Sequence, residues 1–192
     1  MFDQMRRSLS IGLIVMGIFA GASILGAEES SAYEEFSHGL GFSGGEISGI
    51  GLSYRQWFGR LGYQAVAGGY YLPTVNDVPG VSSMDYWAGL EGFYRVYANQ
   101  FSDWFYSQLY LFLGGNHHGS IAPVYSPYVD ANGNPVAPTP GVYAAEFIFG
   151  GGIGIEAGLF QHISVVFEIG YALSVPIFRV ELAPQAAIQY RF

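Results

Sequence analysis

Between Phe178 and Phe192 the chain alternates with period two. Phe178, Val180, Leu182, Pro184, Ala186, Ile188, Tyr190 and Phe192 are apolar, while Arg179, Glu181, Gln185, Gln189 and Arg191 stand among the intervening positions. Successive side chains of a strand point to opposite faces, so this is a strand with one oily and one wet face. Strands of soluble sheets run to about 5 or 6 residues, whereas crossing a bilayer as a tilted strand takes about 9 to 11. Length and pattern together predict a membrane-spanning strand. The charges opposite its oily face predict a wet interior, the inverse of a soluble protein.

The front of the chain reads as an export signal over residues 1–27. Arg6 and Arg7 form a basic start, Ile11 to Leu25 an apolar stretch, and cleavage is expected after Ala22 or Ala27. Neither junction carries a cysteine, which excludes a lipoprotein anchor. Residues 28–35 are polar and acidic and are expected to form a short periplasmic lead-in. Beyond Ala27 no apolar run is long enough for a transmembrane helix, yet 51% of the chain is hydrophobic and 17% aromatic, interleaved with 28 glycines. Diffuse, alternating hydrophobicity of this kind fits a closed sheet, because in lipid only helices and closed barrels satisfy every backbone group.

Without residues 1–27 the chain holds five arginines against fourteen Asp and Glu, a net charge of −9, and it has no lysine. Nucleic-acid binding relies on clustered Lys and Arg, so that class is excluded. The absence of cysteine suits an exported protein that folds without disulfides.

Eight strands are expected, over residues 37–43, 46–57, 61–72, 84–97, 104–116, 142–158, 162–174 and 178–192. Eight is the smallest usual number for a bacterial barrel. The fold class expected is therefore all-β: an eight-stranded antiparallel transmembrane β-barrel over residues 36–192. Connection lengths agree independently. Counting from a periplasmic start, the short connections (58–60, 98–103, 159–161) fall inside and the long ones (73–83, 117–141) outside, as in such barrels. Glycines at 150, 152 and 154 are expected to make room across a narrow lumen for Tyr106, Tyr110 and Trp87.

The last residues, Ile188-Gln189-Tyr190-Arg191-Phe192, resemble the terminal signal read by the barrel-assembly machinery, apolar residues alternating and finishing in phenylalanine. On this feature and the strand pattern, the chain resembles the small outer-membrane β-barrel superfamily, the OmpA/OmpX and OmpW-like group. The resemblance implies an outer membrane of a diderm bacterium, contact with its lipid, and handling by periplasmic chaperones and the assembly machinery through Ile188, Tyr190 and Phe192. It implies no particular activity, since one barrel fold hosts many functions.

Candidate residues fall into three groups. Arg55, Arg95, Arg179 and Arg191 with Glu91, Glu146, Glu156, Glu168 and Glu181 are assigned to the wet face, where the structural reading is a paired network filling the lumen and the functional one a charge-lined ion path. Asn116-His117-His118-Gly119-Ser120, assigned to the long outer loop, carries the best catalytic candidates. His118 and Ser120 are two apart, and Glu146 on the next strand would orient the imidazole. This pair is similar to the His-x-Ser arrangement of outer-membrane lipid A deacylases in those residues alone, and polar residues at a strand end are commonplace. Neither metal nor cofactor is expected: His117 and His118 lack a third ligand, and the run Asp130 to Asn134 has Gly141 where a calcium loop needs an acid. Tyr125 and Tyr128, on a proline-stiffened excursion within 117–141, are the candidate surface for an extracellular partner.

The expected role is thus a non-enzymatic structural or surface-interaction barrel. The alternatives are a narrow pore for small or apolar solutes and a lipid A-modifying enzyme.

Overall fold

The computed structural model describes residues 36–73, 81–124 and 139–192. The expected signal segment and lead-in (1–35), Tyr125, Tyr128 and the Asp130–Asn134 turn lie outside the described residues. Eight strands follow in order: β1 (His38–Gly45), β2 (Gly49–Phe58), β3 (Leu61–Leu72), β4 (Ser83–Ser102), β5 (Phe105–Ile121), β6 (Tyr143–Leu159), β7 (Ile163–Val175) and β8 (Arg179–Arg191). Each pairs antiparallel with its neighbour in sequence, and β8 returns to β1 from Gly39 opposite Arg191 to Gly45 opposite Gln185, closing the ring.

The alternation read in the sequence is what the sheet presents to its two sides. Phe42, Leu90, Phe167 and Ile188 are more than half exposed on the outside, while Arg55, Gln64, Glu91 and Glu156 are at most 1% exposed on the inside. A surface this apolar around an interior this polar is stable only where the surrounding solvent is lipid. Closure pairs the backbone that lipid cannot bond. The chain is therefore a membrane-spanning barrel.

The short connections gather at one end, the periplasmic one in such barrels. Gly59, with φ of 56°, supplies the left-handed backbone of the β2–β3 turn. Phe160 and Gln161, with φ of 51° and 68°, turn β6 into β7, and the Phe160 N–H donates to Trp104 O of the β4–β5 turn at 2.8 Å. The rings of Trp104 and Phe160 lie 6.1 Å apart, giving this rim an aromatic belt.

Three strand bounds differ from the sequence expectation by three residues or more, each for a physical reason. β2 begins at Gly49 rather than residue 46, because Ile47 and Ser48 leave the sheet and turn into the lumen, both fully buried. β4 continues to Ser102 instead of ending at residue 97. Its register against β5 shifts between Arg95 and Tyr97, so the extra residue exchanges the two faces and breaks the alternation that would have revealed the strand. β5 runs to Ile121, which places His117, His118 and Ser120 in the wall and not in a loop.

Purified chain folded in detergent should migrate differently on semi-native gels before and after boiling, with strand-dominated circular dichroism. Ile153→Arg, on the lipid face of β6 where Ile153 is half exposed, should cost about 2–4 kcal/mol in urea unfolding from vesicles if it sits near the bilayer midplane. An unchanged unfolding curve would contradict the assignment of that face to lipid.

Candidate functional site: the filled lumen and its outer mouth

On a strand, side chains two residues apart share a face, so the inward positions of β2, β3, β4, β5, β6, β7 and β8 converge on one narrow interior. Arg55 of β2 reaches its centre. Its Nη2 bonds Glu168 Oε1 at 2.9 Å and its Nη1 bonds Glu156 Oε2 at 3.3 Å. Nε donates to Gln64 Oε1 at 2.9 Å and Nη1 to the Tyr110 hydroxyl at 3.0 Å. The guanidinium also lies 4.3 Å from the Phe93 ring centroid. The Tyr110 hydroxyl in turn donates to Glu168 Oε1 at 2.5 Å, so arginine, tyrosine and carboxylate form one cluster.

Glutamines tie the remaining charges to this cluster. Gln185 Nε2 donates to both Glu91 Oε1 (2.9 Å) and Glu168 Oε2 (3.0 Å). Gln108 Nε2 donates to Glu156 Oε2 at 2.7 Å and its Oε1 accepts from Arg95 Nε at 2.7 Å. Arg191 donates to the Tyr106 hydroxyl, which donates to Glu156 Oε1 at 2.9 Å. Three arginines (55, 95, 191) thus meet three glutamates (91, 156, 168). The bonds among them are what makes their burial tolerable.

Small residues set the room for this filling. Any Cβ at Gly154 would run into the Tyr110 ring, and one at Gly158 into the Tyr106 ring. Gly150 instead receives Ile47. Trp87 was expected over these glycines; it stacks on His118 at 5.0 Å between centroids.

Above the charged layer the β1–β2 turn closes the barrel a second time. Gln185 Oε1 accepts the backbone N–H groups of Ile47 (3.1 Å) and Ser48 (2.7 Å), and Asn116 donates to the carbonyl of Glu46. These bonds satisfy turn backbone that would otherwise be buried unpaired.

Of the nine residues assigned to the lumen network, the structure brings Arg55, Glu91, Arg95, Glu156, Glu168 and Arg191 into the filling. Glu146, Arg179 and Glu181 face the same way but sit at the outer mouth, above the turn. There they line a cavity of about 420 Å³ with Glu46, Trp87 and His118. Arg179 Nη2 bonds Glu181 Oε1 at 2.5 Å, with the arginine side chain mostly exposed. The correction is one of height, not of face. Sequence reasoning missed the connecting amides Gln64, Gln108, Gln185 and Gln189. Their signal was available, since each is a polar residue in phase with the charged ones.

The catalytic candidates are not assembled as expected. His118 Nε2 bonds Asp85 Oδ1 at 2.6 Å, not Glu146, although Glu146 is its register neighbour on β6. Among the described residues no hydrogen bond joins His118 to Ser120. Ile188, Tyr190 and Phe192 are exposed on the lipid face. Among the described residues no group of three His, Asp or Glu is arranged to hold a metal.

Arg55→Ala should cost about 3–5 kcal/mol in urea unfolding, because it strands Glu156 and Glu168 as unpaired buried charges. Gln185→Ala should speed hydrogen exchange at the Ile47 and Ser48 amides far more than at the β7 amides. Equal protection in wild type and variant would show that the turn is held in the lumen by something else.

No protein-family model matches the sequence, and no curated protein does. Among solved structures, the chain is similar to the N-terminal β-barrel domain of Pseudomonas aeruginosa OprF, at 9% identity over 81% of this chain and 96% of that one, with a TM-score of 0.46. It is also similar to Ail, the attachment invasion locus protein of Yersinia pestis, solved with the heparin analogue sucrose octasulfate, at 13% identity over 81% of this chain and 95% of that one, with a TM-score of 0.40. Eight antiparallel strands in a closed ring, apolar toward lipid and charged within, make this chain an eight-stranded membrane-spanning β-barrel.

Proposed function

We propose that this barrel is a closed, non-enzymatic component of the outer membrane, serving as a structural element that also offers its outer rim to partners. The observation that carries this reading is the bonding of Arg55 across the lumen to Glu156 and Glu168, with Ile47 and Ser48 packed above it. A solute path would have to displace both layers, and the lower one is a hydrogen-bonded cluster in which every Arg55 nitrogen is bonded. The pore reading therefore has no support from the geometry of the described lumen.

The deacylase reading is likewise unsupported. His118 is committed to Asp85 and faces the inside of the wall, whereas an outer-membrane lipid lies against the outside. The segment between β5 and β6, with Tyr125 and Tyr128, remains the proposed site for an extracellular partner. Ile188, Tyr190 and Phe192 remain the proposed contacts of the assembly machinery.

In planar bilayers the folded wild-type barrel should be electrically silent. The double variant Arg55→Ala, Gln185→Ala, if it folds, should show intermittent openings. Steady single-channel conductance from the wild type would overturn the closed-barrel reading. Lipid A from cells producing the barrel should keep its mass, and a loss of one acyl chain that depends on His118 would overturn the non-enzymatic one.

A further inference from the structure

The β1–β2 hairpin is shorter than the strands on either side of it. β1 ends opposite Gln185, but β8 continues outward through Pro184 to Arg179. The last residue of β3 registered to β2 is Ala67, but β3 continues to Leu72. Above the hairpin the wall therefore lacks two strands, leaving a gap of roughly 14 Å, three strand spacings of about 4.8 Å. Backbone direction within β8 follows from its lower end, where Phe192 and His38 exchange both their N–H···O bonds. Alternation then turns the N–H and C=O groups of every even residue toward β1. Leu40, Phe42 and Gly44 of β1 stand opposite Tyr190, Ile188 and Ala186. Among the described residues, Val180 and Leu182 face no strand. Pro184, the last even residue before pairing with β1 begins, has no N–H to leave unbonded, as suits an edge position.

The chemistry behind this edge is one-sided. The mouth cavity beside it is lined by Glu46, Glu146 and Glu181, with the Arg179 guanidinium and the His118 imidazole. Arg179 is already paired with Glu181 and His118 with Asp85, and neither Glu46 nor Glu146 has an ion pair among the described residues. On the outer side of the same edge Val180 and Leu182 present exposed apolar side chains.

We infer that the outer edge of β8, at Val180 and Leu182, is a strand-addition site for an extended basic peptide whose alternate residues enter the acidic mouth. Backbone bonds to Val180 and Leu182 supply the affinity. Inward basic side chains face Glu181, Glu46 and Glu146, and the residues between them lie beside Val180 and Leu182. Pro184 bars the added strand from sliding down toward the hairpin. The inference rests on the proposed role of a closed barrel that offers its outer rim to partners, and the bilayer recordings test the closure separately.

The test uses the folded full barrel and a blocked synthetic peptide of four Lys-Val repeats, followed by amide hydrogen exchange. The Val180 and Leu182 amides should exchange quickly in the free barrel and slow saturably, about tenfold or more, with the peptide. The double variant Glu46→Gln, Glu146→Gln should weaken binding by about tenfold, as expected for two rim charge pairs. Glu-Val repeats, and Lys-Val repeats N-methylated at alternate residues, should give no protection. Four results would each overturn the inference: amides already slow in the free barrel, no protection by the peptide, protection by the Glu-Val or N-methylated peptide, or the same protection from dodecylammonium, which would reassign the mouth to an amphiphile's headgroup.

Discussion

Hydrocarbon offers a backbone amide nothing to bond, and most of this structure follows from that constraint. A sheet in lipid has to close on itself, and here β8 closes onto β1 with seven residue pairs in register. Closing with only eight strands leaves an interior barely wide enough for side chains. Once the ring is that narrow, whatever points inward touches its counterpart from across the barrel. The polar half of every strand becomes a single hydrogen-bonded unit.

Arg55 is the centre of that unit because a guanidinium has five donors in a rigid plane and needs acceptors on several sides. They come from β3 (Gln64), β5 (Tyr110), β6 (Glu156) and β7 (Glu168), so one side chain ties together strands from around the ring. The glutamines act as adaptors. An amide can donate to one carboxylate and accept from an arginine or a backbone N–H, and Gln108 and Gln185 do this. Gln185 links the charged layer to the β1–β2 turn, so the two closures of the lumen are mechanically one.

Much of this was legible in advance. β7 and β8 alternate without interruption, and their lipid and lumen faces are those their residues announce. The fourth strand was legible only to Tyr97, because the bulge after Arg95 exchanges its faces and the remaining residues look like a loop. The glutamines are in phase with the charges but carry none themselves, so the sequence places them on the wet face without showing that they connect arginines to glutamates. His118 and Ser120 do share a face. What the spacing could not supply was the partner, and Asp85 lies thirty-three residues away in the chain.

The sequence by itself determined which side of the wall each residue of an unbulged strand occupies, since the strand period is a local property of the backbone and needs no knowledge of neighbours. Height along the barrel was decided only by tertiary structure. Glu156 and Glu146 are both inward on β6, yet one is sealed beside Arg55 and the other opens to the outer mouth. That difference depends on register across eight strands and on where a short hairpin stops, a sum of long-range pairings that no single segment contains.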